Sequence, residues 1–253
     1  MMKLLELVRW LDSYLLPGAE IKDASNNGLQ VEGNPDVARV AFGVDASRQF
    51  FEAALAEEAD LLVVHHGLSW GENLRRIQGY QAERMRILFE NRLSLYASHL
   101  PLDMHPAVGN NTVLAARIGL SSTQPFAQYG GVNIGVYGDL DAPVSIETFA
   151  RHLNETLMTE TETLAAGPEH AARVGAVSGG GADAVSECAA RGIDTLVTGE
   201  FSHEHVHPAK ETGVNIIAAG HYRTEVLGVQ ALMDVMRERW NVYCEFVDLP
   251  TGY

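Results

Sequence analysis

Three apolar runs in this chain end in residues able to hold a metal ion. Leu61-Leu62-Val63-Val64 leads into His65-His66-Gly67, and Leu95-Tyr96-Ala97-Ser98 into His99 with Asp103 four residues on. Ile216-Ile217-Ala218-Ala219-Gly220 leads into His221 with Glu225 four residues on. Imidazole and carboxylate donors together suit Zn, Mn, Fe, Co or Ni, and hydrolytic sites hold pairs of such ions about 3.5 to 4 Å apart. A single histidine after a strand is as often a hydrogen-bonded wall residue as a ligand. Three such ends together have no simpler use, because buried polar groups need partners. Adjacent residues of an extended segment point to opposite faces, so a turn at Gly67 is expected if His65 and His66 are to serve one cluster.

Three weaker signals surround these. Ser178-Gly179-Gly180-Gly181 joins a strand to a helix, and the backbone N–H groups of Gly179, Gly180 and Gly181 are candidates to hold a phosphate or other anion, with a tight turn as the plainer use. Glu200 stands in the second half of the chain where His66 stands in the first, placed to orient a ligand histidine or to act as a base. Phe201-Ser202-His203-Glu204-His205-Val206-His207-Pro208 has the look of a metal trap but reads first as an exposed polar stretch, from which His203 is the candidate to reach the site. Glu200, His99 and His203 are the candidates for proton transfer.

The elements that must position these residues alternate. Strand patterns at 37–44, 61–65, 93–98, 131–137, 172–178, 194–198, 214–219 and 241–247 are separated by helical ones, which predicts strand-helix-strand units, an α/β fold and mainly parallel sheets. In such sheets the ligand crevice lies beyond the carboxyl ends of the strands, where the three clusters fall. Ala38-Arg39-Val40 through Asp60-Leu61-Leu62-Val63-Val64 aligns without a gap, 134 residues on, with Ala172-Arg173-Val174 through Asp194-Thr195-Leu196-Val197-Thr198. His99 and Asp103 are echoed 122 residues on by His221 and Glu225. This internal repeat predicts two similar α/β lobes: 1–125 plus about 214–253 with most of the candidate ligands, and 126–213. The stretch Ser121–Gly131, with Pro125 and Gly130-Gly131, is the expected junction.

Composition narrows the partners. The chain has 253 residues, with 18 Lys and Arg against 33 Asp and Glu, a formal charge of -15, so nucleic acid and anionic lipid are poor partners. Apolar residues at 4, 5, 7, 8, 11 and 15, with Glu6 and Arg9 among them, predict an amphipathic first helix instead of a signal peptide. No apolar run approaches the roughly 18 residues needed to cross a bilayer. Two cysteines, Cys188 in a helical stretch and Cys244 in a strand pattern, are too few for a disulfide framework, and a reduced cytoplasmic setting is expected.

Asn26-Asn27-Gly28-Leu29-Gln30-Val31, His65-His66-Gly67, His99-Leu100-Pro101-Leu102-Asp103, Ser178-Gly179-Gly180-Gly181, Thr198-Gly199-Glu200 and Gly220-His221 with Glu225 occur together and in this order. In these the sequence resembles the Nif-three-like dinuclear metal proteins, also labelled GTP cyclohydrolase 1 type 2 homologs, over nearly the whole chain and in the short form without a middle domain. The resemblance implies a metal site in the cleft between two lobes, two divalent ions held by His65, His66, Asp103, His221 and Glu225, and a ring-shaped homohexamer. The sequence departs from the family at Ser25-Asn26-Asn27, where many members have Trp-Asp-Asn, and at Gly67, where many have Pro. Two functions are expected from such a site. One is metal-dependent hydrolysis of a small anionic, phosphorylated or nucleotide-like substrate. The other is a metal-loaded scaffold or metal-handling protein without chemistry of its own, which saturated ligation would favour.

Overall fold

A computed structural model describes residues 1–15 and 21–253. The chain divides into two compact units, Met1–Leu102 with Val229–Leu249, and Asp103–Gly228 with Pro250–Tyr253.

The first unit opens with β1 (Met2–Lys3) and α1 (Leu4–Leu15), followed by β2 (Gly28–Val31), β3 (Asp36–Val37), β4 (Arg39–Asp45), α2 (Arg48–Ala56), β5 (Leu61–His66), α3 (Tyr80–Glu90), β6 (Ser94–Ala97) and the first three residues of α4 (Leu100–Asp103). The apolar spacing of α1 buries Leu4, Leu7, Val8, Leu11 and Leu15, while Leu5 stays exposed. Helix α2 starts at Ser47, whose Oγ accepts from the Phe50 N–H at 3.1 Å, a cap of about 1 kcal/mol. It buries Phe50 and Phe51 against Leu62, Val64 and Leu95, each ring contributing about 1.5–3 kcal/mol. The last strand of the chain also joins this unit, in a five-stranded sheet where β4, β5 and β6 run parallel and β2 is antiparallel to β6.

The second unit contains α5 (Asn110–Arg117), β7 (Ser121–Tyr129), β8 (Val132–Ser145), α6 (Ile146–Leu157), β9 (Glu162–Leu164), β10 (His170–Val177), α7 (Val185–Ala190), β11 (Thr195–Thr198), α8 (His203–Thr212) and β12 (Asn215–Ala218). Helix α9 (His221–Arg239) follows, its residues from Val229 on counted with the first unit, as is β13 (Tyr243–Phe246), which pairs parallel to β4. The second sheet is mixed, in the order β7-β8-β10-β11-β12-β9, with only β10, β11 and β12 parallel. Phe126, Val177, Cys188, Leu196 and Ile216 belong to its core.

All eight expected strands are present with shifted ends. The expected junction at Ser121–Gly131 is instead β7 and the turn into β8, with Gly130 and Gly131 at φ of 58° and 94°. The observed division puts 103–125, 214–228 and 250–253 with the second unit, where β7 pairs along β8 and β12 along β11. Strand β7 is at the sheet edge and buries only Phe126 and Ala127, so it carries no apolar run to read. Among the described residues no helix is long and apolar enough to cross a membrane.

Candidate metal centre

Strands β4, β5 and β6 of the first unit end side by side, and the candidate histidines stand at those ends. His65 and His66 both lie within β5, which stays paired to β4 through the Asp45–His66 register. Their ring centroids are nevertheless 4.6 Å apart, and the His99 ring lies 5.1 Å from His65 and 5.6 Å from His66. One ligand atom from each of the three lies within 4.8 Å of the others. The expected turn at Gly67 is absent. Gly67 has no positive φ, and a Cβ there would sit 2.3 Å from the Gln30 side-chain oxygen and 2.6 Å from Ala97 Cβ, so glycine is required by close packing.

Each ring is held through Nδ1. His65 Nδ1 lies 2.9 Å from the Ser98 carbonyl, His66 Nδ1 2.9 Å from Asp45 Oδ1, and His99 Nδ1 2.8 Å from Asp23 Oδ1. A neutral imidazole that donates from Nδ1 carries its lone pair on Nε2, the tautomer and orientation a metal-binding histidine needs. Asp23 also accepts from Asn27 Nδ2 at 2.8 Å and from the backbone N–H groups of Ser25 and Leu100. Burial pushes its carboxyl up, but the bonds from His99 and Asn27 prevail and hold it at about 2, so it is an anion at neutral pH.

In the second unit Asp103 is 6% exposed, and its Oδ1 accepts from Asn110 Nδ2 at 2.9 Å and from Ser178 Oγ at 3.1 Å. Asn110 Oδ1 accepts in turn from the Gly228 N–H at 2.7 Å, and Asn111 Oδ1 from the Ser178 N–H at 2.6 Å. His221 and Glu225 lie one turn apart at the start of α9, with His221 Nε2 3.1 Å from Glu225 Oε1 and His221 Nδ1 3.0 Å from Glu200 Oε1. The hydrogen bond to Glu225, with the charges of Glu225 and Glu200, outweighs burial and raises His221 to about 9. Glu225 is 3% exposed. Two buried carboxylates, with Glu225 against an imidazole, suit a cation, since buried charge persists only when compensated. Imidazoles fixed by a second acceptor, with buried carboxylates, fit a divalent transition metal.

In the glycine run two backbone N–H groups are turned onto threonine hydroxyls. The N–H of Gly179 donates to Thr224 Oγ1 and that of Gly181 to Thr198 Oγ1, both at 3.0 Å, so two of the three expected donors are already used. Gly179, at φ 60°, is instead where backbone approaches the ligands, because a Cβ there would stand 2.3 Å from Glu225 Oε1 and 3.2 Å from His221 Nε2. His203 is exposed on the first turn of α8, its ring 6.2 Å from that of His207, and it joins no group of candidate ligands among the described residues. Sequence reasoning missed Asp23, Asp45, Asn110 and Thr224. Asp45 had a readable signal as the last residue of its strand, while Asp23 had none, because its partner lies 76 residues away.

The sequence matches the family Duf34/NIF3 (NGG1p interacting factor 3) over residues 2–251. It is 44% identical to the GTP cyclohydrolase 1 type 2 homolog of Archaeoglobus fulgidus over 251 residues, 99% of this chain and 100% of that one. The fold is similar to that of TTHA1606 from Thermus thermophilus, with a TM-score of 0.90, 39% identity and full coverage of both chains. It is likewise similar to protein ybgI, whose function is given as unknown, with a TM-score of 0.93, 34% identity and full coverage of both chains.

Proposed function

The chain belongs to the Duf34/NIF3 family, and on that premise we propose that it is a metal-dependent hydrolase of a small phosphorylated or nucleotide-like substrate. His65, His66, Asp103, His221 and Glu225 would hold two divalent ions. The observation that carries this reading is the trio His65, His66 and His99, each fixed through Nδ1 by a different oxygen. Three imidazoles oriented in this way are expensive to arrange for packing alone.

When bound, the ions supply Lewis acidity and lower the pKa of a bound water. The chain's own groups do the rest. Ser98 and Asp45 fix the rings of His65 and His66. Ser178 and Asn110 aim the Asp103 carboxylate. His99, backed by ionised Asp23, is placed to accept and return a proton at Nε2. Glu200 holds His221 from the Nδ1 side.

Elemental analysis of protein purified without chelator is expected to give two transition-metal ions per chain, with the content falling in His66→Ala while the fold is kept. A panel of nucleotides, cyclic nucleotides and phosphoesters with added Mn, Zn, Fe or Ni then tests hydrolysis, with Asp103→Asn run in parallel. No activity at full metal occupancy replaces the hydrolase with a metal-loaded scaffold. One ion or none after reloading ends the dinuclear reading.

A further inference from the structure

The loop that follows β5 is held more firmly than an exposed connection requires. Gln30 Oε1 accepts from the N–H groups of Leu68 and Ser69 at 2.7 and 3.0 Å, and Gln30 Nε2 donates to the carbonyls of Asn26 and Ser69. Asn26 Nδ2 donates to Ser69 Oγ and to the Gly71 carbonyl, and Asn73 bonds the Trp70 N–H and the Leu68 carbonyl. The Asn26-Asn27-Gly28-Leu29-Gln30 motif is therefore spent largely on clamping this loop. The clamp fixes Trp70, whose Nε1 donates to the Gly67 carbonyl at 2.7 Å. Its ring stands edge-on to His99 at 5.0 Å and 5.9 Å from His66.

The same ring lines a cavity of about 210 Å³ together with Asn73, Tyr80, Gln81 and Arg84. The guanidinium of half-buried Arg84 lies 5.1 Å from the centre of the Tyr80 ring and has no carboxylate partner among the described residues. Two arginines near it in sequence are paired, Arg75 with Glu72 and Arg86 with Glu83. In a chain of net charge -15, this cavity brings a tryptophan, a tyrosine and an arginine without a carboxylate partner to one lining. Aromatic walls favour a planar ring, and a guanidinium favours an anionic group linked to it. Whole-ligand sites run to about 300–1,000 Å³, so this cavity takes one end of a molecule.

We propose that the Trp70–Tyr80–Arg84 cavity is the subsite for a planar ring with an anionic group linked to it, which it holds beside His66 and His99. This rests on reading those histidines as part of the reacting centre, and it narrows the substrate class to aromatic anions such as nucleotides.

Calorimetric titration of the full chain with GMP, guanosine and ribose 5-phosphate tests it, in metal-loaded and chelator-treated protein. GMP is expected to bind at least tenfold more tightly than either fragment in both preparations. Arg84→Gln lowers GMP to the affinity of guanosine and leaves guanosine unchanged, with an unaltered melting curve. Tyr80→Leu weakens guanosine and GMP alike. Equal binding of GMP and ribose 5-phosphate, GMP binding only when metal is present, or unchanged GMP affinity in Arg84→Gln each overturns the subsite. The metal content of the same preparations is read separately, so a protein that holds GMP but no metal removes the hydrolase reading and leaves the subsite standing.

Discussion

In the first unit Asp60 accepts hydrogen bonds from the N–H groups of Ala38 and Arg39 at 2.7 and 3.1 Å, which ties the start of β4 to that of β5. In the second, 134 residues on, Asp194 does the same for Ala172 and Arg173 at 3.1 and 2.8 Å, at the start of β10 and β11. The register is repeated as well, Val40 opposite Leu61 and Val174 opposite Thr195. At the other end of the strands the two units part. Where the first has Asp45 holding His66, the second has Gly179 and Glu200, and the side chain missing at 179 leaves room for Glu225. One framework thus presents two kinds of donor. In one unit the carboxylate at the end of the strand supports an imidazole, and in the other a bare backbone lets a carboxylate in from α9.

The largest expected effect comes from filling that room. Gly179→Val forces a left-handed backbone on a β-branched residue, at about 1–3 kcal/mol, and drives its Cβ into Glu225. Urea denaturation is expected to show that loss, and metal content to fall with it. Asp45→Val, at the matching position in the first unit, removes a support but meets no such conformation and should cost less than half as much stability. Equal losses in the two variants would mean that the units do not differ in the way described.

Removal of the supports themselves comes next. Asp45→Ala and Glu200→Ala each take away the oxygen that fixes a candidate ligand ring, and loss of such a partner weakens metal affinity about 10–100-fold. Competition with a chromogenic chelator reads this directly. If Asp45→Ala binds metal as tightly as the parent, the Asp45–His66 contact has no part in a metal site.

Much of this was legible in the sequence, and for identifiable reasons. The apolar runs at 61–64 and 216–219 are buried strands, and the gapless repeat around Asp60 and Asp194 marks a recurring strand-helix-strand unit. The partners of the ligands were harder to read. Asp23 reaches His99, Asn110 reaches Asp103 and Thr224 reaches Gly179 through contacts that leave no periodic trace. That Gly179 and Gly181 donate to threonines was not legible either, because two loops of the same composition, one open to a phosphate and one closed on threonines, differ only in where the N–H groups point. Strand β7 was invisible because an edge strand with one face in solvent needs few apolar residues.

The smallest effect concerns the aspartate clasps, and it tests whether the likeness of the units extends to their stability. Asp60 and Asp194 are half-buried, so alanine there leaves backbone N–H groups that water can still reach, at about 1 kcal/mol each. Each unit carries a thiol that reports on its own opening. Cys188, in the second, is fully buried, and burial together with the charge of Glu187 pushes it up to about 12. Cys244, in the first, is pushed by burial to about 11. At pH 8 neither is expected to react with iodoacetamide until its surroundings open, because the thiolate is the nucleophile. Asp194→Ala should then speed alkylation of Cys188 about fivefold and leave Cys244 as it was, with Asp60→Ala doing the reverse, as peptide mapping by mass spectrometry would show. If both thiols accelerate together in both variants, each clasp stabilises the whole chain, and the two units share one opening despite their separate cores.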